Sequence, residues 1–265
     1  MGRQRRRLAL LGGAALGVVL IGAVGAGLWL SFKPLPEIGP APRQPIEPNL
    51  ATALSELIVG EGDGGTQRLF FTTTIGNVGD GALVLRADRR HRWSSDWRVT
   101  QIFDEADGPP TAAATPGRLV WGGHGHDHWH LRFGYAQKLV SLDRRRQRVL
   151  AKAGYCFFDQ QALTAPKTDF KFSKDTCDGS DRTSLQMGMS SGWSDPYQWT
   201  LPDQSLDVTG FPDGTYRLTA TADPDGWIRE SDERDNMAWK EIELTTSTSP
   251  PRVRVLRSSP PLAPE

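Results

Sequence analysis

The sequence predicts a mainly β fold, a β-sandwich-like domain preceded by one N-terminal transmembrane helix, and three observations carry that expectation. Short apolar and β-branched segments recur between Gly, Asp, Asn and Pro punctuation, no long stretch shows helical periodicity, and residues 8–32 carry no charge. Strands are expected at 68–75, 82–86, 118–121, 126–135, 148–158, 215–222 and 237–244, joined by turns such as Asn77-Val78-Gly79 and Pro212-Asp213-Gly214. Residues 164–195 are more polar and weakly patterned, which predicts a long functional excursion.

Arg3, Arg5, Arg6 and Arg7 make residues 1–7 a basic, cytoplasmic N-terminus, and residues 8–32 follow as a transmembrane anchor ending near Trp29. At about 1.5 Å per residue that run exceeds the ~30 Å hydrocarbon core. A cleaved signal peptide ending near Ala23, Gly25 and Ala26 is the competing reading, and the arginine pairs leave twin-arginine export open. Six prolines from Pro34 to Pro48 predict an extended linker over 33–48. The folded domain is then expected at 49–245, with a Ser/Pro-rich tail without packed structure at 246–265. The domain would lie outside the cytoplasm, on a single-pass membrane protein or secreted. In such an oxidising compartment Cys156 and Cys177, the only cysteines, are expected to form a disulfide bond. The 31 basic and 31 acidic residues cancel, so nothing in the bulk charge calls for nucleic acid.

Four of the five histidines fall in Trp121-Gly122-Gly123-His124-Gly125-His126-Asp127-His128-Trp129-His130. Alternate residues of a strand share a face, so these imidazoles would point one way, and neutral imidazole is a ligand for copper or zinc. Residues two apart lie about 6.6 Å apart along a strand, so a third ligand needs a twist or bulge, which the glycines permit. His126, His128 and His130 are therefore the expected metal ligands, with His124 left open. An all-nitrogen set with open positions suits copper better than a closed thiolate zinc site. His91, in Arg89-Arg90-His91-Arg92, is expected at the surface.

Taken in order, these landmarks resemble the catalytic domain of the lysyl oxidase family from about residue 68 to residue 243. Asn77-Val78-Gly79 is similar to a turn ahead of the family's copper block, and His126-Asp127-His128-Trp129-His130 matches its His-x-His-x-His. Lys152-Ala153-Gly154-Tyr155-Cys156 resembles the family's Lys-Ala-Ser-Phe-Cys, and the block from Gly188 to Asp195-Pro196-Tyr197 resembles its Gly-Leu-Ser-Pro-Gly block ending in Asp-Thr-Tyr. The resemblance implies a copper-dependent amine oxidase whose catalytic cofactor, lysine tyrosylquinone, forms from Lys152 and Tyr197. Its partners would be a primary amine or protein lysine, and O2; its products an aldehyde, ammonia and hydrogen peroxide. A base must remove the substrate α-proton, and Asp195 and Asp203 lie nearest Tyr197 in sequence.

The chain departs from the animal members in having only Cys156 and Cys177 where they have several disulfides, and in its histidine block. Gly125 stands where they have a cysteine inside the histidine block, and His124 sits two residues before the block rather than three. A rival reading comes from residues 215–236, where Asp223-Pro224-Asp225-Gly226 and Glu230-Ser231-Asp232-Glu233-Arg234-Asp235-Asn236 also resemble adhesion-type β-sandwich modules. That reading is a non-catalytic, extracytoplasmic metal-binding module whose acidic loop holds a turn or calcium.

Overall fold

Backbone alternation, not helix, organises the structure, a computed structural model that describes residues 45–122, 127–132, 134–143, 145, 147–151, 154–163, 166–201 and 204–262. In chain order the strands are β1 (Pro45–Ile46), β2 (Leu50–Glu61), β3 (Gln67–Asn77), β4 (Leu83–Asp88), β5 (Arg98–Glu105), β6 (Thr111–Ala114), β7 (Leu119–Trp121), β8 (Trp129–Leu131) and β9 (Tyr135–Ser141). They continue with β10 (Gln147–Ala151), β11 (Gln161–Ala162), β12 (Ser184–Met189), β13 (Trp193–Tyr197), β14 (Ser205–Asp207), β15 (Gly214–Ala222), β16 (Met237–Thr245) and β17 (Arg252–Ser258). The helical segments among the described residues are two short 3-10 turns, Asp63–Gly65 and Lys174–Cys177.

Among the described residues these strands form three five-stranded sheets and one hairpin. The first sheet runs β1-β5-β4-β12 with β6 also on β5, the second β10-β9-β15-β16-β17, and the third β11-β13-β3-β14 with β2 on the other edge of β3. Strands β7 and β8 pair alone. The alternating residues Leu69, Phe71 and Ile75 of β3, Leu83, Leu85 and Ala87 of β4, and Tyr216, Leu218, Ala220 and Ala222 of β15 turn inward and join one apolar cluster. Between them, β9 sends in Tyr135, Gln137 and Leu139.

The expected strands at 68–75, 82–86, 118–121, 215–222 and 237–244 coincide with β3, β4, β7, β15 and β16. Others need correction. The run 126–135 is not one strand: β8 ends at Leu131, and the Gly134 N–H turns back to the Leu131 carbonyl before β9 begins. The expected excursion 164–195 contains all of β12 and the start of β13, and the supposed unpacked tail contains β17, which pairs with β16. The last residues of the expected linker form β1 and pair with β5. Strand β2 falls outside the expected strands because a bulge breaks its alternation. The register shifts between Ser55 and Ile58, Glu56 takes φ 48°, and its carboxylate accepts from Thr72 at 2.6 Å.

The expected anchor, residues 8–32, lies outside the described residues, among which no helix is long and apolar enough to cross a membrane.

The acidic loop of residues 230–236 closes onto β2. The Leu50 N–H and the Asn236 side-chain amide both donate to Glu230, and the same amide donates to Glu233. Burial pushes the Glu230 carboxyl up to about 8, against those hydrogen bonds and with help from the Glu233 and Asp223 charges. An unfolded glutamate releases its proton near 4.5, so across the interval up to about 8 the folded chain holds a proton that the unfolded chain has lost. This group's contribution is therefore complete below the lower limit and declines as pH rises toward the upper one. Carboxylates held low, such as Glu241 between Arg217 and Arg257, are ionised in both states over that interval. Urea unfolding should show this contribution as a fall in stability from pH 5.5 to pH 8 that is shallower in Glu230→Gln; an equal slope in both proteins would contradict the assignment.

Candidate functional site

The described residues of the histidine block lie at the paired ends of β7 and β8, where Trp121 pairs with Trp129 and Val120 with His130. The Gly122 N–H donates to the His128 carbonyl at 2.9 Å, and His128 forms a further bridge with Asp178. Indoles fasten the hairpin to the body. Trp129 stacks edge-on against Trp97 and Trp121, its Nε1–H donates to the Gly179 carbonyl at 2.9 Å, and the Arg89 guanidinium lies 4.7 Å over its ring.

On this strand His128 and His130 occupy alternate positions, and their Nε2 atoms face each other 2.8 Å apart. That separation is the edge spanned by two ligands each about 2.0 Å from one ion at a right angle, so the pair fits a metal centre with imidazoles on adjacent corners. His124 and His126 lie outside the described residues, and among those described no group of three or more metal-binding side chains converges. His130 is 4% exposed, so an ion there would sit against the protein interior.

A second strand of chain is laced to the first. The Leu131 N–H donates to the Tyr155 carbonyl at 2.8 Å, and the Tyr155 N–H returns to the Leu131 carbonyl at 3.0 Å. Gly154 permits this close approach: a Cβ there would stand 2.5 Å from the His130 Cβ and 2.7 Å from the Leu131 carbonyl oxygen. Cys156 follows and is bonded to Cys177, one residue before the Asp178 that bridges His128. The Cα atoms of the disulfide are 6.3 Å apart. The bridge expected from the sequence is therefore present, and it ties both flanks of the histidine strand together.

The third component comes from β13. Asp195 and Tyr197 lie opposite Ile75 and Thr73 of β3, two residues apart on one face. Tyr155 stacks on Tyr197 with ring centroids 4.5 Å apart, Tyr135 lies 6.0 Å from Tyr155, and so three of the chain's four tyrosines share one spot. Their hydroxyls are engaged: Tyr155 donates to the Asp195 carbonyl at 2.7 Å, and Tyr135 pairs with Thr73 while accepting from the Gln137 amide. Burial drives the Tyr197 phenol far above its ordinary range and the Asp195 charge adds to this, while a hydrogen bond from the Cys156 backbone opposes it. Tyr155 is raised as well, first by burial, then by the Asp195 charge and by the neighbouring Tyr197 and Tyr135.

These parts border one cleft of about 550 Å³, walled by His128, Tyr197, Asp195, Phe158, Asp127 and Asp178. Its wall brings together three residues singled out from the sequence, the His128 imidazole, Tyr197 and the candidate base Asp195. Lys152 and Asp203 lie outside the described residues, although Gly154 and Tyr155, the second and third residues after Lys152, lie against His130 and Tyr197. His91 is exposed as expected and stacks on Trp93. The partners not foreseen are Tyr155 and Tyr135. Tyr155 had a signal, since it stands inside the Lys-Ala-Gly-Tyr-Cys block, whereas no local pattern tied Tyr135 to it.

The disulfide encloses a separation of 21 residues, for which loop-closure entropy gives about 3 kcal/mol. Replacing both cysteines by serine should lower the urea unfolding free energy by about that amount. A double variant as stable as the parent would show that the hairpin clamp does not need the bond.

A model of the lysyl oxidase family matches residues 112–250, just over half of the 265-residue chain and a span that includes the hairpin loop, β8 and β13. No curated protein matches the chain. With the landmarks in the family's order and the family's own model covering those from the histidine block through Tyr197, the chain belongs to the lysyl oxidase family.

Proposed function

We propose that the protein is a copper-dependent amine oxidase that converts primary amines, peptidyl lysine among them, to aldehydes, consuming O2 and releasing ammonia and hydrogen peroxide. The observation that carries this reading is the facing pair of His128 and His130 Nε2 atoms, 2.8 Å apart, at a cleft whose wall contains Tyr197. Membership of the family supports it. His126, His128 and His130 would hold copper, with His124 as an open fourth candidate, and Lys152 and Tyr197 would supply the amine and the ring of a lysine tyrosylquinone. Bound there, copper supplies the redox chemistry with O2 that makes a quinone from a tyrosine, and the quinone serves as the electrophile and electron acceptor for the amine.

The chain's own groups perform the remaining tasks. Neutral imidazoles bind a divalent cation without adding charge to a buried strand. Tyr197, 4% exposed, reacts where bulk water is excluded. Asp127 and Asp178 on the cleft wall attract a cationic amine, with Lys174 partly offsetting them. The same reading places this domain outside the cytoplasm, on an anchor at 8–32, in a compartment where a disulfide persists.

The test is copper loading in air followed by quinone staining and a peroxide assay with small amines and with a lysine-rich protein. The parent should stain and release peroxide, Lys152→Ala and Tyr197→Phe should do neither, and His128→Ala and His130→Ala should retain less copper. Copper-loaded parent protein that neither stains nor yields peroxide with either class of amine would return the chain to the binding-module reading.

A further inference from the structure

We infer that Tyr155 is a positioning residue that locks the Tyr197 ring against rotation, so that one fixed edge of that ring faces the cleft. The inference deepens the reading of Tyr197 as the cofactor precursor and rests on it for its functional meaning.

A phenol ring has two equivalent edges, and a half-turn about the Cβ–Cγ bond exchanges them. Self-oxidation needs them to differ, because the carbon that takes up oxygen and the carbon that accepts the lysine nitrogen are not the same. A half-turn of the unmodified ring changes nothing, but once one edge has taken up oxygen a free ring would exchange it with the edge that must meet the lysine nitrogen. The half-turn sweeps the ring through the space above its own face, and the Tyr155 ring fills that space at 4.5 Å with the planes inclined by 30°.

Tyr155 cannot readily withdraw. It is fully buried, its backbone makes both hydrogen bonds to Leu131, and Cys156 beside it is held by the disulfide. Its hydroxyl donates at 2.7 Å to the carbonyl of Asp195, two residues before Tyr197 on the same strand. The lock is therefore fastened to the backbone that carries the ring it restrains. Phe157, fully buried itself, also packs against the Tyr155 ring, with centroids 4.8 Å apart. Burial and the neighbouring Asp195 charge keep the Tyr155 hydroxyl protonated, so its donor role persists through the working pH range. The block that this sequence resembles has phenylalanine at the corresponding place, which supplies the stacking face without the hydroxyl anchor.

Aromatic NMR of metal-free protein with ring-labelled tyrosine tests the lock without any turnover. In the parent the two edges of Tyr197 should give separate resonances, in Tyr155→Phe they should exchange at least tenfold faster, and in Tyr155→Leu they should merge. Copper loading with quinone staining then tests its purpose: Tyr155→Leu should bind copper as the parent does, yet give at least tenfold less quinone per copper. Merged edges in the parent, or separate edges in Tyr155→Leu, would overturn the inference, as would a quinone yield in Tyr155→Leu within twofold of the parent. If Tyr155→Leu does not fold, the parent and Tyr155→Phe spectra decide the matter. A parent that forms no quinone at all would instead sink the proposed function while leaving the NMR result on ring rotation intact.

Discussion

The pairing of Leu131 with Tyr155 is the constraint on which the site depends. Two backbone hydrogen bonds join the end of the histidine strand to the segment beginning at Gly154, and through them the imidazoles and the Tyr155 ring are placed relative to one another. Because a strand alternates its side chains, fixing Leu131 fixes His130 and His128 on their common side. Fixing Tyr155 lays its ring on Tyr197. Backbone ladders are suited to this task, since their geometry varies less than that of side-chain contacts; a neutral bond contributes only about 1 kcal/mol, so the register needs further support. Indole packing on one flank and the Cys156–Cys177 bond on the other provide it.

The second property is dryness with polar contents. The interior face of β3 near Thr73 gathers Tyr135, Gln137, Tyr155, Asp195, Tyr197 and Gln204, all buried. Gln204 alone donates to the carbonyls of Phe71 and Tyr197 and to the Thr73 hydroxyl. An apolar core would be cheaper to assemble, because buried polar groups cost free energy unless each is paired. Such a cluster keeps the phenols protonated and fixed in a medium of low dielectric.

The sequence disclosed the fold class and the chemistry-bearing residues more readily than the connections between them. Strands such as β15 were legible because Tyr216, Leu218, Ala220 and Ala222 alternate cleanly. Strand β5 was not, because Gln101 occupies an inward position and is satisfied by the Arg229 backbone, a partner 128 residues away. The histidine spacing correctly put His128 and His130 on one side, but the hairpin required a pairing between residues on either side of the glycine-rich loop that no local pattern encodes. Tyr135 illustrates the same limit, since its place beside Tyr155 comes from β9 lying against β15 and not from anything nearby in sequence.

Strand β17 has a consequence for the boundary of the folded unit. It lies at the rim of the second sheet and bears Arg252, Arg254 and Arg257, two of which reach back to Glu243 and Glu241 on β16. A rim strand studded with positive charge discourages sheet-to-sheet adhesion between molecules. Were the polypeptide cut after Thr245, where its composition turns rich in serine and proline, β16 would become the rim and offer its unpaired amides and carbonyls to any passing chain. The basic ribbon thus works as a selvedge, finishing the weave so that it does not catch on its neighbours.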